Sequence, residues 1–252
     1  MPCGEGQLGC GTGRRSDNPY HTRMNRELAG PRDGLSRRSV TKGAAWVTPV
    51  LVIGAPAPAT AASPNCLPQK LAWTALSPGA AVTSGQAFPI GKTTVTYSDT
   101  GATTTARNST VSTSDVGGIT AGAGLAFTSP NNTTSTAQTI SFSFSAQVTN
   151  VSLSIADIDW DGTGYQDRIT VNTAGYTSTL GTQITGTGTA ASPFRAAQSV
   201  SGGVPNTSTA GTITLSWAGP LNQISFTYDQ GARVTGSAFI IMSGINFTPT
   251  VC

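Results

Sequence analysis

The stretch Ile140-Ser141-Phe142-Ser143-Phe144-Ser145-Ala146-Gln147-Val148-Thr149-Asn150-Val151-Ser152-Leu153-Ser154-Ile155 decides the fold. Ile140, Phe142, Phe144, Ala146 and Val148 share one parity, and after Thr149-Asn150 the apolar positions resume at Val151, Leu153 and Ile155. Serine fills most of the positions between. Successive side chains of a strand point to opposite faces, so this pattern puts a greasy row on one side and hydroxyls on the other. It is the signature of half-buried antiparallel strand. A helix would need apolar residues three and four apart, and no window of this chain sustains that spacing.

The same alternation recurs on both sides. Val95 and Tyr97 precede it; Ile169 and Val171, then Ile213, Leu215 and Trp217, then Ile224, Phe226 and Tyr228, and finally Phe239, Ile241, Ile245 and Phe247 follow. Gly, Pro, Asn and Ser clusters between these runs read as turns. Many short strands at this spacing predict an all-β domain, an antiparallel β-sandwich of jelly-roll-like form. Gly101 to Thr120 and Thr182 to Gly211 are polar and weakly patterned, and are expected as long hairpins or loops at its ends. Threonine-rich pieces such as Gly186-Thr187-Gly188-Thr189 have no fixed period, so they are no repeat ladder. Threonine here is a good β-former on a wet face.

Upstream the composition changes. Ser36-Arg37-Arg38-Ser39-Val40-Thr41-Lys42 leads into the uncharged Gly43 to Ile53 and then the small-residue run Ala55 to Ala62. Basic start, apolar middle and small-residue end are the layout of an export signal. The arginine pair Arg37-Arg38 resembles a twin-arginine (Tat) signal, with Val40-Thr41 where such signals carry Phe-Leu. With Lys-Gly-Ala-Ala-Trp and Thr-Pro-Val it is similar to signals of secreted proteins of high-GC Gram-positive bacteria. That resemblance implies export and an extracellular destination. A membrane anchor is the alternative, but it needs ~20 apolar residues, and this run is short and broken by Pro49. The expected organisation is therefore 1–35 as a disordered extension with Met24 as an alternative start, 36–62 as the signal, cut after Ala61 or Ala62, and 63–252 as the secreted domain.

Removing the signal changes the charge argument. The whole chain carries +3, but from Ser63 onward six cations face seven aspartates, a net charge of −1. Nothing there is a basic patch, so nucleic acid is not an expected partner, and no membrane is expected after cleavage. The mature region also has no Glu and no His, His21 lying upstream. That excludes a Ser-His-Asp triad and histidine-ligated metal sites. Cys66 and Cys252 remain, and in an oxidising compartment the pair reads as a disulfide, two free thiols being the alternative. Closing a loop of about 190 residues is worth roughly 5 kcal/mol in the chain-entropy argument, and it requires both ends of the domain to meet.

One stretch carries chemistry: Asp157-Ile158-Asp159-Trp160-Asp161-Gly162-Thr163-Gly164-Tyr165-Gln166-Asp167-Arg168. Asp157, Asp159 and Asp161 followed by Gly162 resemble the start of a calcium loop, with ligands at positions 1, 3 and 5 and a turn glycine at 6. Position 12 holds Arg168 instead of Glu, and no helices flank the loop, so it is not an EF-hand. Strand parity supplies a separate argument. With 160–166 as a hairpin connection, Asp159 and Asp167 face each other at the rim of the core. Carboxylates converging there repel, which raises a pKa or calls for a cation. The expected metal ligands are Asp157, Asp159, Asp161 and Asp167, with Ca2+ as the cation. A β-bulge at Ala156, turning Ile158 and Trp160 inward, would undo that phase. The alternatives are a solvated acidic turn, or carboxylates that pair with Arg168 or Arg233 and cap backbone amides.

The Asp-Ile-Asp strand end, Gly-rich turn and Gln-Asp-Arg-Ile-Thr-Val, preceded by Ser-Phe-Ser-Phe-Ser-Ala-Gln-Val-Thr-Asn-Val, resemble β-sandwich modules of bacterial secreted and surface proteins, adhesin-like and carbohydrate-binding-like. The resemblance implies binding or display rather than catalysis, with a cell-wall or extracellular glycan, or a surface protein, as partner. Trp160 and Tyr165 flank the acidic loop and are the candidate sugar-stacking residues, core packing being the other reading for Trp160. Trp217 and Tyr228 are in phase with the core. The competing function is a carbohydrate-active hydrolase using Asp157, Asp159 and Asp167 as acid and base.

Overall fold

The computed structural model describes residues 66–101, 109–129, 137–231 and 238–252. The extension, the Tat-like signal with Arg37 and Arg38, and Arg233 lie outside these residues. Fourteen strands follow in chain order: β1 (Gln69–Leu71), β2 (Ala87–Ile90), β3 (Thr93–Gly101), β4 (Ser109–Val111), β5 (Gly124–Ser129), β6 (Gln138–Ala156), β7 (Asp167–Val171), β8 (Tyr176–Leu180), β9 (Ile184–Thr185), β10 (Phe194–Ala196), β11 (Ile213–Trp217), β12 (Leu221–Gln230), β13 (Ala238–Ser243) and β14 (Ile245–Pro249). Every pairing between them is antiparallel. The all-β antiparallel class is as the alternation predicts.

The deciding stretch is one 19-residue strand, β6. Its N-terminal half pairs with β3 on one edge and β12 on the other. Its C-terminal half pairs with β11 on one edge and with β14 and then β13 on the other. The parity change read at Thr149-Asn150 is a bulge. Asn150 adopts a left-handed φ of 51°, and the register against β14 slips between Asn246 and Thr248. An extra residue there bends and twists the strand, so one strand serves two neighbourhoods. The fourteen strands consequently form one continuous hydrogen-bonded network in a β-sandwich-like arrangement.

One principal core fills the fold, with Trp73, Tyr97, Phe127, Phe142, Phe194, Phe226 and Phe247 among its largest fully buried side chains. Trp217 and Tyr228 are buried in it, as their phase indicated. On the opposite face of β6 and β12 the hydroxyls pair across strands, Ser141 with Ser225 at 2.9 Å. The last strands depart from simple alternation. Ile240 and Met242 face the main core, while Ile241 enters a small second cluster with Val116, Ile119 and Ala156, and Phe239 packs against its edge. Strand β13 is thus covered on both faces, which a period-two reading misses. The segments expected as long hairpins or loops carry the short strands β4, β9 and β10, of which β9 and β10 pair as a hairpin; the buried Val111, Ile184 and Phe194 anchor them. The chain ends meet as the disulfide requires. β1 pairs with β14, and Cys66 and Cys252 are bonded with Cα atoms 5.6 Å apart.

Candidate functional site

The acidic hairpin begins where β6 loses its alternation. Ala156 is buried, Asp157 takes a left-handed φ of 68°, and Ile158 and Asp159 are both buried. Aspartate tolerates that conformation better than most residues, because its short polar side chain can bond locally. The break turns Ile158 into the core while leaving Asp159 facing Asp167. Trp160 bridges to Gln166, and the Asp167 N–H donates to the Asp159 carbonyl at 2.9 Å, closing the hairpin. The expected face-to-face aspartates are present, and of the pair Ile158 and Trp160 that the alternative phase would turn inward only Ile158 is fully buried. Trp160 is half-buried and its carbonyl accepts the Val200 N–H.

Asp167 is fully buried and Asp159 is 3 % exposed. Tyr228 donates its hydroxyl to Asp167 Oδ1 at 2.7 Å, and the Asp159 N–H reaches Asp167 Oδ2 at 3.3 Å. Asp159 Oδ2 accepts the Val204 N–H at 2.6 Å, and Tyr165 bonds the same carboxylate through its hydroxyl. Gly203 makes that approach possible. Its φ is 79°, and a Cβ there would collide with Asp159 Oδ2 and the Tyr165 hydroxyl. Asp161 behaves differently: its Oδ1 accepts the N–H groups of Thr163, Gly164 and Tyr165 at 2.8, 2.5 and 3.1 Å, capping the turn.

These environments set the proton affinities. Burial raises the Asp167 carboxyl well above the ordinary range, the neighbouring Asp159 adding to it. Asp159 is raised by burial as well, opposed by its hydrogen bonds. Asp157 goes from 3.8 to about 7, mainly through burial and then through the charge of Asp159. Burial works against ionised Asp161 too, but its amide donors together hold it below the usual range. Burial of Asp167, the deepest of the four, favours its protonated form, which eases the repulsion between two adjacent buried carboxylates. Arg168 turns away from the hairpin and pairs with Asp229 at 2.5 Å.

Calcium takes six to eight oxygens converging on one point. Among the described residues no group of three or more His, Cys, Asp or Glu side chains is arranged to hold a metal ion. The carboxylates of Asp159 and Asp167 already accept hydrogen bonds from Val204, Tyr165 and Tyr228.

A groove of about 550 Å³ lies elsewhere, lined in part by Lys70, Thr120, Ser154, Thr179, Thr214 and Ser243. It is built from the wet face of the strand pattern. Thr214 stands opposite Ser154 on β6 and opposite Thr179 on β8, so three hydroxyls form a row across three strands. The Ser154 and Thr214 hydroxyls bond at 2.9 Å. The Gly117-Gly118 turn forms a rim, held by the Gly117 N–H on the Asn206 carbonyl at 2.7 Å and the Thr212 hydroxyl on the Gly117 carbonyl at 3.0 Å. Trp160 and Tyr165 do not line it. The sequence shows this face as hydroxyl-rich but carries no mark of its concavity, which comes from the distant 117–120 turn. No family model, no curated protein and no solved structure matches the chain.

Proposed function

We propose that the mature chain is an extracellular, non-catalytic β-sandwich module that binds glycans through the hydroxyl-lined groove over β6, β8 and β11. The observation that carries this reading is the row Ser154, Thr214 and Thr179 at the floor of the groove, with Lys70 as its cation. Hydroxyls both donate and accept, as sugar hydroxyls do, and neighbouring strands repeat them every ~4.8 Å, the scale of a sugar ring. The strands hold the row rigidly, which keeps the ordering cost of binding low. Export by the Tat-like signal and the terminal disulfide suit an extracellular setting.

The acidic hairpin is, in this reading, an internal brace. Its aspartates join the 159–167 hairpin to the Gly203-Val204 loop and to β12 instead of presenting oxygens to a ligand. The hydrolase alternative draws on the raised Asp157, but its other carboxylates, Asp159 and Asp167, are buried and bonded to protein donors. An acid and a base must both reach the glycosidic bond. The test is retention of the full, oxidised chain on a panel of immobilised neutral polysaccharides beside the double variant Ser154→Ala/Thr214→Val. Retention on one glycan class that the variant loses by tenfold or more is expected; release of reducing sugar, or equal retention of the variant, would overturn the reading.

A further inference from the structure

Two of the six cations downstream of the signal face each other directly. Arg195 on β10 is the cross-strand partner of Arg168 on β7, and Arg168 is in turn opposite Asp229 on β12. Like charges directly opposed on an antiparallel pair destabilise it. Asp229 relieves only one of them: its Oδ1 takes Arg168 Nε and Nη2, both at 2.5 Å. Among the described residues no carboxylate pairs with Arg195, whose side chain is exposed. The row therefore carries a net positive charge on a domain that is otherwise slightly acidic.

This charge sits in a pocket. Arg168, Arg195, Thr170, Ser192, Pro193 and Asp229 are among the residues lining a space of about 240 Å³. Its wall, the turn between β9 and β10, is fixed in place. The Thr187 N–H donates to the Ser192 carbonyl at 2.9 Å, the Ser192 N–H to the Thr189 carbonyl at 3.0 Å, and the Tyr176 hydroxyl to the Thr187 carbonyl at 2.6 Å. Gly188 lies so close beneath Phe194 and the Tyr176 hydroxyl that no larger residue fits. The pocket is thus preformed, which lowers the ordering cost of binding.

We propose that the pocket between Arg168 and Arg195 binds the carboxylate of an acidic saccharide. A guanidinium fork matches a carboxylate in a planar, two-bond geometry, and here one fork is unpaired while the second has its outer edge free. Thr170 and Ser192 supply hydroxyls beside it for the ring that carries the carboxylate. The space is below the ~300 Å³ of an ordinary small-molecule pocket, so it holds a single ring. The site shares no residue with the hydroxyl-lined groove; its carboxylate chemistry stands on the arginines, and the choice of a saccharide to carry it rests on the glycan reading.

The experiment is titration of the full, oxidised chain with sodium glucuronate, read by the side-chain Nε–Hε resonances of Arg168 and Arg195. Glucose and sodium chloride at matched ionic strength are the controls. Saturable shifts with glucuronate alone are expected, weakened about tenfold in Arg195→Gln and several-fold in Arg195→Lys, which keeps the charge but loses the fork. Asp229→Asn, which frees Arg168, is expected to tighten binding several-fold. Lys92→Gln, an exposed cation outside both pockets, leaves it unchanged. Arg195→Gln also relieves the repulsion, so its melting temperature stays equal to wild type or rises. Shifts that chloride reproduces, glucuronate binding unchanged in Arg195→Gln, or unfolding of that variant at lower temperature would each overturn the proposal.

Discussion

Replacing Asp157 with asparagine removes a charge that the fold holds at a cost. The unfolded carboxyl titrates near 3.8 and the folded one at about 7, so between those values the folded chain keeps a proton that the unfolded chain has released. Acid therefore strengthens the fold. The contribution is complete below about pH 4 and is lost as pH rises through 7. Asp159 and Asp167 are raised in the same direction and add to the trend. The interval of about 3 pH units, at 1.36 kcal/mol each, sets a ceiling of about 4 kcal/mol for Asp157. Its partial exposure brings the expected effect to roughly 1–3 kcal/mol, because solvent screens the charge. Asparagine is nearly isosteric and accepts the left-handed φ of 68° found there, so the substitution changes charge and little else. The assay is urea unfolding of wild type and Asp157→Asn from pH 4 to pH 8.5, with the difference between them plotted against pH. The variant should match wild type at pH 4 and exceed it by roughly 1–3 kcal/mol at pH 8. A flat difference, or a variant weaker than wild type at pH 8, would refute the reasoning about burial.

Other expectations follow from the same geometry. Gly203→Ala forces a Cβ into Asp159 Oδ2 at a φ of 79°, and should lower stability by roughly 2–3 kcal/mol in chemical denaturation, whereas Gly202→Ala next to it meets nothing within 4 Å and suffers only its own backbone strain. Cys252→Ser opens the Cys66–Cys252 loop and should cost up to roughly 5 kcal/mol, read as a lower urea midpoint that matches reduced wild type. Because the hairpin carboxylates already have protein donors, melting in millimolar calcium should equal melting in chelator. A rise with calcium that Asp159→Ala abolishes would make the hairpin a metal site instead.

Much of this fold is legible because strand alternation is a local signal. Ile140 to Ile155 announces its own pleat, and even its bulge shows as the parity change at Asn150. The disulfide is equally legible, since two cysteines at the two ends of the strand-forming region leave one pairing. The aspartate brace is half legible. Parity places Asp159 opposite Asp167, but the donors that satisfy them, Val204 and Tyr228, come from segments tens of residues away. Tyr228 reads only as a core residue, and Gly203 only as part of a loop. Strand β13 defeats the reading for a related reason: covered on both faces, Phe239 to Met242 has no polar side to betray its phase. The two pockets are the least legible. Ser154, Thr179 and Thr214 look like any wet strand face, and Arg168 and Arg195 become neighbours only through the β7–β10 register.

The central claim is that the hydroxyl row is where ligand lands. Its most direct test is amide chemical-shift mapping of the full, oxidised chain with a soluble oligosaccharide of whichever polysaccharide class retains it. The account predicts the largest shifts at Thr120, Ser154, Thr179 and Thr214, with the 159–167 hairpin unmoved. Shifts centred on Trp160 to Tyr165, or spread evenly with no saturation, would contradict it.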